Sequence, residues 1–233
     1  MSECPCSHTD DHHSHRSHEA SLFKELSCHF PWATLSIGLG FVLLSILHFI
    51  GLGIGQTASA AGYHILFHVF HYLHIVFAVV GTMVTFARFS SDFWRGLIIS
   101  TVFPSFFCIL SDIALPTLAG NILGVRMKMH VCFVSEAHNI VPLLIIGVCT
   151  GILLRSHHES MLMFFSLGSH FFHICIGSLA SLFYMVSFGF TDWYESMGLL
   201  FLFLIAAVLV PCTLSDLIVP WYFAKKKHEK HKN

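Results

Sequence analysis

Hydrophobic residues in this chain run in long blocks rather than alternating with polar ones. Six blocks lie near 31–50, 63–86, 96–118, 138–155, 161–188 and 196–222. A hydrocarbon core takes about 20 helical residues to cross, and lipid offers no partner to open backbone groups, so runs of this length are predicted helices. The expected fold class is an all-α polytopic membrane protein with six transmembrane helices. Polar residues inside the blocks are few, which makes each of them a candidate for chemistry.

Two blocks share a sentence. Residues 108–116 read Cys-Ile-Leu-Ser-Asp-Ile-Ala-Leu-Pro and residues 212–220 read Cys-Thr-Leu-Ser-Asp-Leu-Ile-Val-Pro, the copies being 104 residues apart. The match extends upstream: His68-x-x-His71 aligns with His170-x-x-His173, and His29 and His48 align with His138 and His157. Each half then reads as three helices, and two tandem three-helix units in one membrane must be inverted relative to each other, an architecture used by many transporters. The expected organisation is a disordered tail over 1–29, a first repeat over 30–118, a connecting loop over 119–137, a second repeat over 138–223 and a basic tail over 224–233.

Composition agrees with a lipid setting. The 233 residues are 55% hydrophobic and 11% charged, against about 25% charged for a soluble domain. With six spans, the termini and the loops near 87–95 and 156–160 share one side. That side holds ten of the 12 basic residues, leaving Arg126 and Lys128 opposite. The bias predicts cytoplasmic termini. The first 29 residues are polar, so no cleavable signal peptide is evident. The eight cysteines, four of them within spans, do not form a disulfide framework. A net charge of −1 and the lack of a basic-aromatic surface give no sign of nucleic acid. The expected partners are the bilayer and metal ions, with a homo-oligomer left open.

The intramembrane histidines and acids carry the functional reading. His64, His68, His71 and His74 are spaced 4, 3 and 3, which places them within an arc of roughly 120° on one helix face. His170 and His173 share a face for the same reason. Imidazole is the commonest protein ligand of first-row metals and carboxylate can complete a set, so the expected metal ligands are His68, His71 and Asp112 in one half and His170, His173 and Asp216 in the other. Cys108, Cys212, Ser111 and Ser215 would orient or supplement them. A lone membrane histidine ordinarily just bonds to a neighbouring helix, and that reading suffices for His74 taken alone. An unpaired aspartate at mid-bilayer costs about 2.5–3.5 kcal/mol on insertion scales, so Asp112 and Asp216 both need partners. By depth, Asp112 falls in the outer half of its span and Asp216 in the inner half, giving two separate sites, one near each mouth. Pro104, Pro116, Pro211 and Pro220 bracket the acids and predict kinked or partly unwound helix there.

Outside the spans, His130, Cys132, Glu136 and His138 sit in the connecting loop and could gather a cation, or be ordinary loop residues. The tract Cys4-Pro-Cys6-Ser-His8-Thr-Asp-Asp-His12-His13-Ser-His15-Arg-Ser-His18-Glu19 suits labile metal capture. His157, His158 and Glu159 read as plain loop, and the Lys225–Lys232 run as a topology anchor.

The function expected is a transporter of divalent transition-metal ions, zinc first among Zn, Ni, Co and Cu, with proton coupling because protons and metal compete for the same ligands. No nucleotide-binding loop is present. A membrane b-type cytochrome with His-ligated haem is the alternative, supported by 24 phenylalanines and weakened by the clustering of the histidines. A metal-dependent membrane enzyme is the second alternative, although the His-His boxes of membrane desaturases are absent from the spans. A proton channel would use similar relays.

Overall fold

The computed structural model describes residues 22–54, 56–155 and 159–230, with side chains left out at 22–25, 28, 52, 54, 56–59, 159–170 and 225–230. Among these residues all regular secondary structure is helical. Helix α1 is Leu22–Ile54, α2 Gln56–Phe89 and α3 Phe93–Ile109, which runs through a π turn, Leu110–Ala114, into α4, Leu115–Ile122. A four-residue helix α5, Cys132–Ser135, precedes α6, Ala137–Arg155, and α7, Glu159–Ser187. Helix α8, Met197–Thr213, runs through a second π turn, Leu214–Ile218, into α9, Val219–Lys230.

Among the described residues, five helices are long and apolar enough to cross a membrane: His29–Gly51, Ala60–Phe89, Phe93–Ile122, Ala137–Arg155 and Met197–Ala224. These match five of the six expected blocks. The sixth block lies on α7, whose described side chains cover only the apolar stretch Phe171–Ser187. Helix α1 already begins at Leu22, within the expected tail, and α9 continues to Lys230 into the expected basic tail. The tract from Cys4 to Glu19, together with His157 and His158, lies outside the described residues.

Helix α2 is the hub. It packs most extensively on α7, then on α6 and α3. Its span is 61% buried, whereas that of α6 is 17% buried, so α6 lies at the periphery of the bundle. Small residues set the spacing: Gly147 and Gly151 let α6 press on Val76, Val79 and Met83 of α2. The core under them holds Phe67, Met83, Ile174, Phe183 and Tyr184. Outward faces remain apolar, with Phe49, Ile98, Leu153 and Leu202 all exposed. Polar ends are tied locally: Asp92 accepts the Arg95 N–H to cap α3, and Arg155 Nη2 donates to Ser91 O at 2.6 Å.

Beside the acids the bracketed helices do not unwind; each repeat widens by one residue into a π turn. The Leu115 N–H donates five residues back to Leu110 O, and the Val219 N–H to Leu214 O. The cause can be read from the spacing. Once the Leu115 N–H is taken, the next donor for Ser111 O would be that of residue 116, and Pro116 has none. Pro220 does the same to Ser215 O. Ser-x-x-x-x-Pro thus orphans one serine carbonyl in each copy, and π turns of this kind occur often at functional sites.

Candidate metal centre

The orphaned carbonyls are met from the opposite half of the chain. Ser181 Oγ on α7 lies 3.0 Å from Ser111 O, a bond shared with its own Gly177 O at 2.8 Å. Thr82 Oγ1 on α2 lies 3.2 Å from Ser215 O and 3.4 Å from Asp216 Oδ1. Buried carbonyls ordinarily find such donors. The two contacts are reciprocal, α7 serving the first π turn and α2 the second.

Widening at the π turns presents both aspartates inward. Asp112 is fully buried, as are His71 and His74. Both rings donate Nδ1–H to the same oxygen, Asp112 Oδ2, from 2.8 Å for His71 and 2.7 Å for His74. Ser111 Oγ donates to the other oxygen, Oδ1, at 2.7 Å. In the second copy His173 donates Nδ1–H to Asp216 Oδ2. A carboxylate that accepts Nδ1–H fixes the imidazole tautomer and leaves Nε2 as a lone-pair donor facing away, the arrangement that supports metal-bound histidines. His71 Nε2 is such an atom, buried with no hydrogen-bond partner.

Histidines of the two copies converge. The rings of His74 and His173 stand 4.5 Å apart between centroids, and Cys212 Sγ lies 3.5 Å from His74 Nε2. One donor atom each from His74, His173 and Cys212 fall within 4.8 Å of one another, and all three residues are buried. They come from α2, α7 and α8. Close approach depends on glycine: a Cβ at Gly177 would sit 2.7 Å from the His74 ring, and one at Gly81 would sit 2.9 Å from Asp216 Oδ2.

A second group forms at the loop end of α2. His68, His130 and Cys132 also bring donor atoms within 4.8 Å of one another. Glu136 adjoins them, its Oε1 2.9 Å from His68 Nε2 and 3.8 Å from His130 Nε2. Tyr72 donates its hydroxyl to Glu136 Oε2, and Asn139 Nδ2 reaches the same oxygen at 3.3 Å. Burial pushes the Glu136 carboxyl up, but the Tyr72 hydrogen bond, the charges of His68 and His130 and the Asn139 hydrogen bond outweigh it. The carboxyl ends below its ordinary range. Burial, then the Glu136 charge, push the Cys132 thiol up to about 12. Tyr184 anchors this loop, accepting the His130 N–H and donating to Lys128 O, each at 3.1 Å.

Several expected placements change. Asp112 takes His71 and His74, not His68 and His71. His68 turns instead to Glu136, because it lies one turn nearer the loop than the acid. His74, sufficient as a plain helix contact when read alone, is central. The two acids do not mark separate sites near opposite mouths: the contact of His74 with His173 joins them into one buried cluster. Nor do they stand as open ligands, since their oxygens are occupied by Nδ1–H groups and hydroxyls. Ser111 orients Asp112, and Ser215 Oγ lies 3.5 Å from Thr82 Oγ1. Cys108 is buried but outside the converging donors. His64 is exposed, its ring 4.4 Å from that of His68. His138 is exposed and belongs to neither group. The His170 side chain lies outside the described residues.

Gly81, Gly177, Thr82, Ser181 and Tyr72 escaped sequence reasoning. A signal existed for two of them. Thr82 follows His74 by eight residues and Ser181 follows His173 by eight, so the better alignment of α2 with α7 pairs His71-x-x-His74 with His170-x-x-His173.

Compared with protein-family models, with characterised proteins and with solved structures, the chain matches none of them at a significant level.

Proposed function

We propose that this chain is an integral-membrane transporter of divalent transition-metal ions whose central binding site is formed by His74, His173 and Cys212. The observation that carries the reading is the convergence of those three buried donors, from helices of both halves, on tautomers set by buried carboxylates. Three protein ligands leave a coordination position open for water or the next ligand, which suits an ion that must leave again. Two imidazoles and a thiol favour zinc or copper over oxygen-loving magnesium or calcium.

Charge balance supports the same reading. Among the described residues no lysine or arginine is buried, yet Asp112 and Asp216 share one dry cluster. Buried charge must be compensated, by two protons or by one divalent cation, and that exchange is what a proton-coupled carrier performs. The reciprocal contacts of Thr82 with Ser215 O and of Ser181 with Ser111 O, made by two hydroxyls that stand 99 residues apart, support two inverted three-helix halves meeting at the site. Cytoplasmic termini follow from the basic-residue bias. Haem is disfavoured because axial ligation needs imidazoles on opposite faces of a porphyrin, and tilted rings 4.5 Å apart leave no slot for one.

The test is elemental analysis of the purified full chain, with flux into proteoliposomes carrying a zinc-sensitive dye. Wild type is expected to carry zinc or copper and admit it, and His74→Ala, His173→Ala and Cys212→Ala to lose both. A metal-free, flux-inactive wild type sinks the transporter. Tight metal binding without flux would move the chain to the metal-dependent enzyme class.

A further inference from the structure

We propose that His68, His130, Cys132 and Glu136 form a second transition-metal site, at the loop end of α2, that loads ions of the zinc class onto the histidine face leading to the centre. Hydrogen-bond accounting at His68 is the first observation. Its Nδ1 lies 2.8 Å from His64 O, a carbonyl that can only accept, so Nδ1 carries the proton. In the neutral ring Nε2 is then a lone pair. That lone pair stands 2.9 Å from Glu136 Oε1 and makes no hydrogen bond to it. Two electron-rich atoms held at that separation need a cation, either a proton on Nε2 or a metal ion; the missing hydrogen-bond geometry and the nearby His130 and Cys132 donors favour the metal. Bonds of about 2.0–2.2 Å to zinc place neighbouring N and O ligands roughly 3–3.5 Å apart, near the spacing seen here.

The rest of the donor set is built rather than incidental. Cys132 is fully buried although it belongs to a loop helix, and its sulfur shares the group with His68 and His130. The Tyr72 hydroxyl and Asn139 hold one Glu136 oxygen, which leaves Oε1 directed at the histidines. Tyr184 holds the loop backbone at Lys128 and His130. Such outer contacts orient ligands in metal sites. His68 is followed on the same face of α2 by His71 and His74, so an ion released here meets the central ligands along one helix. The site binds metal whether or not the centre transports it, and the two are separable experimentally.

The experiment titrates the full chain in detergent micelles with Co²⁺, following the thiolate-to-cobalt absorption, then displaces it with Zn²⁺. Relative to wild type, Cys132→Ser is expected to lose the charge-transfer intensity of one ion, and His68→Ala one bound Co²⁺ per chain. Glu136→Gln keeps the side-chain size and a hydrogen bond to Tyr72, so a loss there is no folding defect; it is expected to weaken the same ion by at least about tenfold. Cys212→Ser should remove a different ion and leave this one. If the Cys132→Ser and Glu136→Gln titrations superimpose on wild type, the loop site is wrong. If they shift while Cys212→Ser does not, this site stands and the central one falls.

Discussion

Asp112 and Glu136 are both carboxylates facing histidines of α2, and their surroundings give them opposite roles. Asp112 is entirely dry, and its oxygens are occupied by His71, His74 and Ser111. Glu136 keeps a quarter of its side chain exposed and leaves Oε1 facing His68 and His130 without a hydrogen bond. A buried acid must satisfy every lone pair from the protein, so it becomes an orienter of ligands. A wetter acid can leave an oxygen open and become a ligand itself. The residue type at each place is nearly the same; solvent access decides the chemistry.

The largest effect that could break this comparison is removal of the dry acid. Asp112→Ala orphans the two ring N–H groups of His71 and His74, at about 1–3 kcal/mol for each buried donor, while Ser111 Oγ can still donate to Cys108 O at 3.3 Å. Glu136→Ala should cost under about 1 kcal/mol, because water can replace a partly exposed partner. Thermal unfolding of both variants in detergent checks the ordering, and equal losses would erase the distinction. Next in size is Gly177→Ala, whose methyl must displace the His74 ring at a cost of about 1–3 kcal/mol. Its Co²⁺ titration should lose the central ion and keep the loop ion.

Asp112→Asn is subtler. The amide cannot accept from both rings as well as a carboxylate does, so tautomer control at His71 and His74 weakens. Central affinity should fall about 10–100-fold, with the loop site unmoved. An unchanged central affinity would mean that Asp112 is structural only. The smallest effect concerns the π turn. Pro116→Ala restores an N–H able to reach Ser111 O, so Ser181→Ala should become nearly silent in that background. Alone, Ser181→Ala should cost about 0.6 kcal/mol, the average for such bonds in membranes. A double-mutant cycle on unfolding free energy reads the coupling, and additivity of the two changes would refute the shared carbonyl.

Much of this was legible in advance. The helix positions follow from apolar block length, because lipid permits few other solutions, and five blocks correspond to helices of spanning length. The importance of the Ser-Asp copies was legible from repetition alone. Their meaning was not: the prolines signalled broken helix, whereas the spacing of Pro116 from Ser111 and Pro220 from Ser215 gives π turns. Choosing His68 with His71 over His71 with His74 was a register question. All four histidines of α2 share a face, and nothing local says which of them stands level with Asp112. Depth reckoned at constant rise separated the two acids, because it could not include the packing of α7 against α2 that brings His173 to His74.

The sequence by itself determined that this protein is built of lipid-length helices, that its few buried polar residues are histidines, acids, hydroxyls and thiols, and that two of its helices carry the same carbonyl-freeing turn. Those properties are set within a single helix or a single run of residues. Tertiary structure alone decided which nitrogen faces which oxygen. Only packing, down to the missing side chains of Gly81 and Gly177, turns the acids into orienters and gathers His74, His173 and Cys212 from three helices into one place. Coordination needs donor atoms within a few ångströms of each other, and residues a hundred positions apart reach that distance only through the fold.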